Sequence, residues 1–498
     1  MKKILALVLS GLLGGAVTAG ENMTDLRQQM QQTLAGVSSS LFTDRVKSLR
    51  QLTTVLDPQL LKEFRAIEKV KAIVDPQKQR DNPENVNVRI EALNTLTVFK
   101  TNGIEIPNLL KFFNDIISEA VEDAKGKDPV RKAADIRVAN AALAQLPNIA
   151  PMQAADAPAN PERDQALGTL KRLYEKRDKL PQTTYMALIS ALGNFGDKDE
   201  AVKTLFSIAE KETKNQNIRY ASLRSIRNAV SVLNSVPAKT VKTMEGWLEK
   251  STGDNNADVK TMLVECLEIM TAKLPPDSSY TINEKTKAQV LDMLKNGTDP
   301  EAISAVKFLM RVSAKDISLV DNFLEAADPR TNKNKNLSFR GLETINAGLV
   351  NVLNSISNEK STAKQQAANA AAQKIIVHML NTLDPGVKGV PEEIKETMIM
   401  GLGIIPMTFD RTQAVTCLVS LLEIEGAKEA PIPGRIRALE DALTSLTGCV
   451  PFSMIKFEQL DQSDGTVRFS RKRIPDIAAW KAWLGKDENK KALLPTKK

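Results

Sequence analysis

One short phrase recurs along this chain at intervals near 41 residues. It is a helix-starting polar residue or Pro, then an aliphatic or Phe, then Arg or Lys, then a small and apolar run. It stands at Asn87-Val88-Arg89, Pro129-Val130-Arg131, Asn217-Ile218-Arg219, Asp258-Val259-Lys260, Ser338-Phe339-Arg340 and Glu393-Ile394-Lys395, with a looser copy at Arg435-Ile436-Arg437. Successive basic residues lie 42, 88, 41, 80, 55 and 42 positions apart: three single periods, two doubled and one stretched. A period of this length marks stacked two-helix units, none of which buries its apolar face without a neighbour. The expected fold is therefore all-α, an α-solenoid of roughly nine antiparallel helix pairs wound into a right-handed superhelix.

The rest of the pattern fits this frame. From Met23 to Val37, apolar residues recur at three- and four-residue steps, and a second series runs unbroken from Val46 to Val74. This leader, residues 20–84, reads as a helical cap or hairpin, with Pro76 to Glu84 as a loop. The first repeats occupy 85–148. Residues 149–162, rich in Ala and Pro, read as a linker and the best place for a boundary. The main solenoid runs through 163–448, with unmarked repeats near Leu173–Leu192 and from Asp299. The stretched interval points to a lengthened helix pair around Asn354–Ala372, where Ala-rich sequence favours helix. Residues 449–498 leave the rhythm: Phe452 to Arg473 reads as a loop or short hairpin, and Ile477–Leu484 as a short helix.

The first 19 residues have the form of a cleaved secretory signal. Lys2-Lys3 precedes an apolar run from Ile4 to Val17, and Val17-Thr18-Ala19 offers small residues for cleavage. That run is 14 residues long, against the ~20 needed to span a bilayer. No Cys follows it, so a lipid anchor is not expected, and no later stretch is long enough to cross a membrane. The expectation is a periplasmic or secreted protein. Without Lys2 and Lys3 the chain carries 66 basic and 60 acidic residues, a mild +6, which ordinary solubility explains as well as an acidic partner does. Cys266, Cys417 and Cys449 cannot all pair with one another. A Cys417–Cys449 bridge is geometrically open, but buried thiols are the stronger expectation.

The phrase resembles that of HEAT-repeat proteins, as in Asn87-Val88-Arg89-Ile90-Glu91-Ala92-Leu93 and Asn217-Ile218-Arg219-Tyr220-Ala221-Ser222-Leu223. The resemblance covers roughly Asn85 to Leu446. Leu446-Thr447-Gly448 followed by Trp480-Lys481-Ala482-Trp483 is similar to the ending of exported bacterial HEAT-repeat proteins of unassigned function. It implies a concave face that takes protein partners, and it implies no catalytic residues.

Inventory argues the same way. His378 is the sole histidine and sits in apolar Ile375-Ile376-Val377-His378-Met379-Leu380, so a core or groove position is expected in preference to catalysis. Three scattered cysteines lack zinc spacing, and aromatics at 4% leave little for a sugar cleft. Gly401-Leu402-Gly403 lies in a helical pattern without a preceding strand, which suits close helix packing and not a phosphate loop. No catalytic, cofactor or metal residue is assigned. The candidate interaction residues are Arg89, Arg131, Arg219, Lys260, Arg340, Lys395 and Arg437, with Arg471, Arg473, Trp480 and Trp483 in the tail. The repeat-borne cations could line a groove or cover seams between repeats with their stems. The Trp pair could meet a partner or cap the last repeat; the cap is favoured. The expected function is a non-catalytic protein-interaction scaffold. An envelope protein binding anionic surfaces or acidic polymers through its basic tail is the alternative, and a helical-toroid enzyme a remote one. Nucleic acid is not an expected partner.

Overall fold

Several helices start at a polar cap, which stands one or two residues ahead of the recurring phrase at Asn85, Asp128 and Asn215 and not at the phrase's own Asn87 or Asn217. In the computed structural model, Asn85, Asp128, Asn160 and Asn215 each accept a hydrogen bond from a backbone N–H two or three residues on. A cap of this kind contributes about 1 kcal/mol and fixes where the helix begins. The structure describes residues 19–81, 84–122, 128–151, 160–251, 257–275, 278, 280–313, 317–328, 334, 337–357, 362–461 and 467–495. The signal-like segment therefore lies outside the described residues, apart from Ala19, as does most of the Ala/Pro stretch.

The chain forms two units, divided at Asn234/Ser235. The first holds α1 (Ala19–Val37), α2 (Phe42–Leu52), α3 (Pro58–Glu63), α4 (Ala66–Val74), α5 (Lys78–Asp81), α6 (Val86–Thr101), α7 (Leu109–Glu122), α8 (Pro129–Ile149), α9 (Pro161–Glu175), α10 (Gln182–Gly193), α11 (Asp199–Lys211) and α12 (Gln216–Val232). The second holds α13 (Ala238–Lys250), α14 (Ala257–Ala272), α15 (Glu284–Asn296), α16 (Asp299–Ser313), α17 (Leu319–Ala327), α18 (Phe339–Ser357), α19 (Thr362–Leu383), α20 (Glu392–Gly403), α21 (Thr412–Gly426) and α22 (Pro433–Thr447). It ends in strands β1 (Ser453–Asp461) and β2 (Val467–Pro475), then α23 (Ile477–Gly485) and α24 (Asp487–Leu493).

Each unit is an α-solenoid of stacked helix pairs. In the first, α6, α8, α10 and α12 pack side by side as one layer, and α7, α9 and α11 form the other. In the second, α14, α16, α18, α20 and α22 form a layer more tightly packed than that of α13, α15, α17, α19 and α21. Every copy of the phrase falls on an even-numbered helix, and the two unmarked repeats are α10 and α16. The period thus counts one layer. The stretched interval is met by the long helices α18 and α19.

The core is aliphatic. Leu93, Leu143, Leu188 and Ile226 are buried along the even layer of the first unit, and Leu263, Leu309, Leu353, Leu402 and Leu443 along that of the second. Small residues set how closely the layers approach. A Cβ on Gly196, just past α10, would fall well inside contact distance of Ala229 Cα on α12. A Cβ on Gly403, ending α20, would lie 3.0 Å from Ala442 Cα on α22, and one on Gly401 would meet Val350 and Met379. The Gly-Leu-Gly segment therefore serves close packing.

Several expectations need correction. The Val46–Val74 series is three helices, not one. Asp57 caps α3 through Gln59 and Leu60 N–H, with Pro58 in the first turn, and Pro disfavours helix in the residue before it. Arg65 then adopts a left-handed conformation (φ 50°) before α4. The segment Pro76–Glu84 contains the short α5. The two compact units divide at Asn234/Ser235, and at the start of the 149–162 stretch Ala150 and Pro151 are held to α9 through their carbonyls by the Arg163 guanidinium.

The tail closes the second stack. β1 and β2 pair antiparallel, with Ile455 opposite Arg473 and Phe457 opposite Arg471, and β2 packs on α21 and α22. Trp480 is fully buried, edge-on to Phe452 (4.8 Å) and to half-buried Trp483 (6.3 Å). The Arg411 guanidinium donates to Leu446 O at 2.5 Å and Ala492 O at 2.6 Å, tying α24 to the end of α22. Cys266, Cys417 and Cys449 are unbridged, and burial pushes the Cys417 thiol up to about 11.

The glycine contacts are directly testable. Gly196→Ala should cost about 1–3 kcal/mol through overpacking. Gly168→Ala, where a Cβ meets nothing within 4 Å, should be neutral or stabilising by about 0.5–1 kcal/mol. Urea midpoints followed by far-UV circular dichroism distinguish the two.

Candidate interaction surface

The repeat-borne cations divide into buried and exposed sets. Arg89 on α6 is buried and donates to Asp135 Oδ1 on α8 at 2.7 Å. Half-buried Arg131 on α8 donates to Gln79 O at 2.6 Å. Together with Gln79, Glu119 and Asp135, both arginines line a cavity of about 20 Å³, room for one water. Arg219 is buried on α12, and desolvation lowers its pKa. Arg89 and Arg131 thus occupy the seam between α6 and α8, and Arg219 is buried in the core of α12. Lys260 is half-buried, and Lys395 pairs with Glu392 at 3.0 Å. Arg340 is exposed, as is Arg437, which lies 3.7 Å from Asp441. The side chains of Arg471 and Arg473 lie outside the described residues.

Sequence reading missed the three most engaged cations. Arg163 on α9 donates to the carbonyls of Ala150 (2.7 Å), Pro151 (2.9 Å) and Asn194 (2.6 Å). It also pairs with Asp197 and stacks on Phe195 at 4.4 Å. Its signal was present: Arg163 follows the cap Asn160 by three residues, as Arg131 follows Asp128. Arg435 on α22, two residues before the expected Arg437, is the buried member of that phrase. It pairs with Glu392 and lies 3.6 Å from Glu396 and 3.9 Å from Glu425. Arg411, the third, has no counterpart in the phrase.

Around Arg435 the carboxylates are tuned by opposing effects. Burial works to raise Glu425, but the Ile432 N–H, the Lys428 ammonium and Arg435 outweigh it and hold the group below the ordinary carboxylate range. Burial likewise opposes, and Lys395 and Arg435 overcome it, at Glu392, which is also held low.

His378 is a core histidine. Its Nε2 lies 3.0 Å from Asn346 Oδ1, and Asn346 Nδ2 donates to Ala327 O and Leu342 O. With the Asn346 amide so oriented, Nε2 carries the proton. Among the described residues no group of three His, Cys, Asp or Glu is placed to hold a metal, and no helix is long and apolar enough to cross a membrane.

With the arginines in the seams, the outward stripes of the even helices differ between units. In the first unit they carry amides. Gln145 Nε2 on α8 donates to Asn94 Oδ1 on α6 (2.8 Å), Arg137 on α8 donates to Asn87 on α6 (3.4 Å), and Asn140 Nδ2 on α8 donates to Thr183 Oγ1 on α10 (3.5 Å). In the second unit, Met400 on α20 and the following Ile404 and Met407 are 59%, 42% and 62% exposed. Met400 lies near the end of α20, Ile404 caps it, and Met407 follows in the turn before α21. Nothing in the repeat phrase marks these residues, because they lie a turn or more beyond it.

No family profile and no curated protein matches the chain. Among solved structures it is similar to an engineered protein of the Northeast Structural Genomics Consortium, with 13% identity over 84% of this chain and 98% of that one and a TM-score of 0.41. It is also similar to the SYS-1/POP-1 complex, with 11% identity over 89% of this chain and 84% of that one and a TM-score of 0.37. A third is the TSC2 N-terminus, with 13% identity over 84% and 99% and a TM-score of 0.29. No residue role is carried across from these, and the fold rests on the helix packing described above.

Removing Arg163 should leave Asp197 buried without its counter-charge. Arg163→Ala is expected to destabilise by about 3–5 kcal/mol, whereas Arg340→Ala should stay within about 0.5 kcal/mol; thermal melts of the two variants make the comparison. Because Glu425 and Glu392 are held low in the folded state, their contribution is complete above about pH 5 and disappears as pH falls through the depressed folded values. Glu425→Gln should therefore flatten the acid limb of a stability–pH curve.

Proposed function

We propose that this chain is an exported, HEAT-like, non-catalytic scaffold that holds protein partners against the outward stripes of its even-numbered helices. The observation that carries the reading is the division of labour among side chains. Arg89, Arg163 and Arg435 are engaged with carboxylates between repeats, while Met400 near the end of α20, and Ile404 and Met407 just beyond it, stand in solvent. Clustered exposed apolar side chains mark contact sites, and Met suits them because its flexible thioether adapts to a partner's shape. Two features support a place outside the cytoplasm: the Lys2-Lys3 start with its apolar run, and the small residues up to Ala19.

Photo-crosslinking in intact cells from a reactive amino acid at position 404, read by mass spectrometry, tests this reading. A discrete partner set is expected, reduced at least about tenfold by Met400→Glu with Met407→Glu, in a protein whose melting temperature is unchanged. Export predicts a mature N-terminus at Gly20 in the extracytoplasmic fraction. Crosslinks that are diffuse, or indifferent to both substitutions, would sink the scaffold reading at this face.

A further inference from the structure

We propose that β1 pairs with β1 of a second copy of this chain, joining two molecules through one antiparallel sheet in the order β2–β1–β1–β2. The proposal stands on the tail hairpin alone and is independent of the Met400 surface.

The argument starts from an open edge. Among the described residues the sheet holds two strands, and β2 is the one that packs on α21 and α22. One long side of β1 therefore has no strand beside it. A two-stranded hairpin is marginal in water and gains stability from further strands. An unpaired edge nine residues long is also a template for pairing. Within the hairpin, Lys456 stands opposite Lys472, a like-charge pair that works against the sheet. A carboxylate brought to the other side of Lys456 offsets that repulsion.

The strand supplies this carboxylate when it is set against itself. β1 reads Ser453-Met454-Ile455-Lys456-Phe457-Glu458-Gln459-Leu460-Asp461. In a two-fold antiparallel pair, residues opposite each other lie on one face, so both are even-numbered or both odd-numbered. The register centred on Phe457 sets Lys456 opposite Glu458 of the partner subunit, and the symmetry repeats that match. It also sets Met454 opposite Leu460 of the partner subunit, and Phe457 opposite its own copy. The two neighbouring registers fail on charge. Centring on Lys456 opposes two lysines, and centring on Glu458 opposes two glutamates. A parallel in-register pair makes both errors at once.

The same chemistry decides which edge is used. β2 carries Arg468, Arg471, Lys472 and Arg473 and no acidic residue, so a second β2 is repelled there. Space also permits the pairing. Each chain enters the sheet at Ser453, which falls opposite Asp461 of the partner subunit. The two entry points are then about 27 Å apart, at about 3.4 Å per residue along nine-residue strands. The helical bodies therefore leave from opposite ends.

Sedimentation velocity on the full chain tests the proposal. Wild type is expected to pass from monomer to dimer between about 1 and 100 μM. Lys456→Glu and Glu458→Lys should each weaken self-association at least about tenfold, since each opposes like charges twice. Mixed one to one, the two variants should associate about as tightly as wild type, because each supplies the charge that the other has lost. That reciprocal rescue is not produced by damage to the fold. A photoreactive amino acid at position 457, read by mass spectrometry, should join two copies through this strand, and it decides the matter should a charge variant fail to fold. Three results would overturn the proposal: wild type monomeric throughout the range, single variants that associate as wild type does, or variants that stay apart when mixed. A monomer that sediments with phosphatidylglycerol–phosphatidylcholine vesicles would overturn it too, and would assign the cationic hairpin to an anionic lipid surface.

Discussion

A helix of twelve to nineteen residues with an apolar stripe has little stability alone in water, because nucleation is costly and its apolar side is left wet. Everything in each unit depends on how that stripe is covered: each interior even helix lies between two others of its layer and against its own pair-mate. Leu188 of α10 and Leu402 of α20 are inaccessible only because the neighbouring repeats are present. The ends of such a stack are therefore its weakest points. In the second unit the end is closed by β2 on α21 and α22, by Trp480 against Phe452, and by Arg411 gripping the carbonyls of Leu446 and Ala492.

The arginines solve a problem that this packing creates. Where one helix ends and the next begins, backbone carbonyls are left without partners just where the layers come closest. A guanidinium offers five donors on a long apolar stem, so it can enter a seam, satisfy those carbonyls and meet a carboxylate from the adjoining repeat. Arg163 performs all of these roles. The same chemistry explains why the sequence period is carried by a basic residue near a helix start and not by a purely apolar one.

The layer structure was legible in the chain because a cap residue, a seam cation and a small-residue run must recur once per repeat. What those cations do was less legible. Arg89 and Arg340 occupy equivalent positions in the phrase, yet one is buried against Asp135 and the other faces solvent; only the neighbouring repeat decides which. Arg435 and Arg437 are two residues apart, and the pattern selected the exposed one. The break at Asp57-Pro58 was overridden by an apolar series that continued across it. The boundary at Asn234/Ser235 carries no compositional mark, since Leu233-Asn234-Ser235-Val236-Pro237 resembles the other breaks between helices. The Met400 patch was hidden because an exposed methionine and a buried one look alike until the helix is docked.

The tryptophans, placed by the needs of the second unit, also divide the molecule optically. Trp247, Trp480 and Trp483 are the only ones in the chain, and all lie beyond Asn234, whereas Tyr174, Tyr185 and Tyr220 lie before it. Indole emission therefore follows the melting of one unit and is blind to the other. A gap between that signal and the loss of helix would reveal, without any label, whether the two halves come apart together.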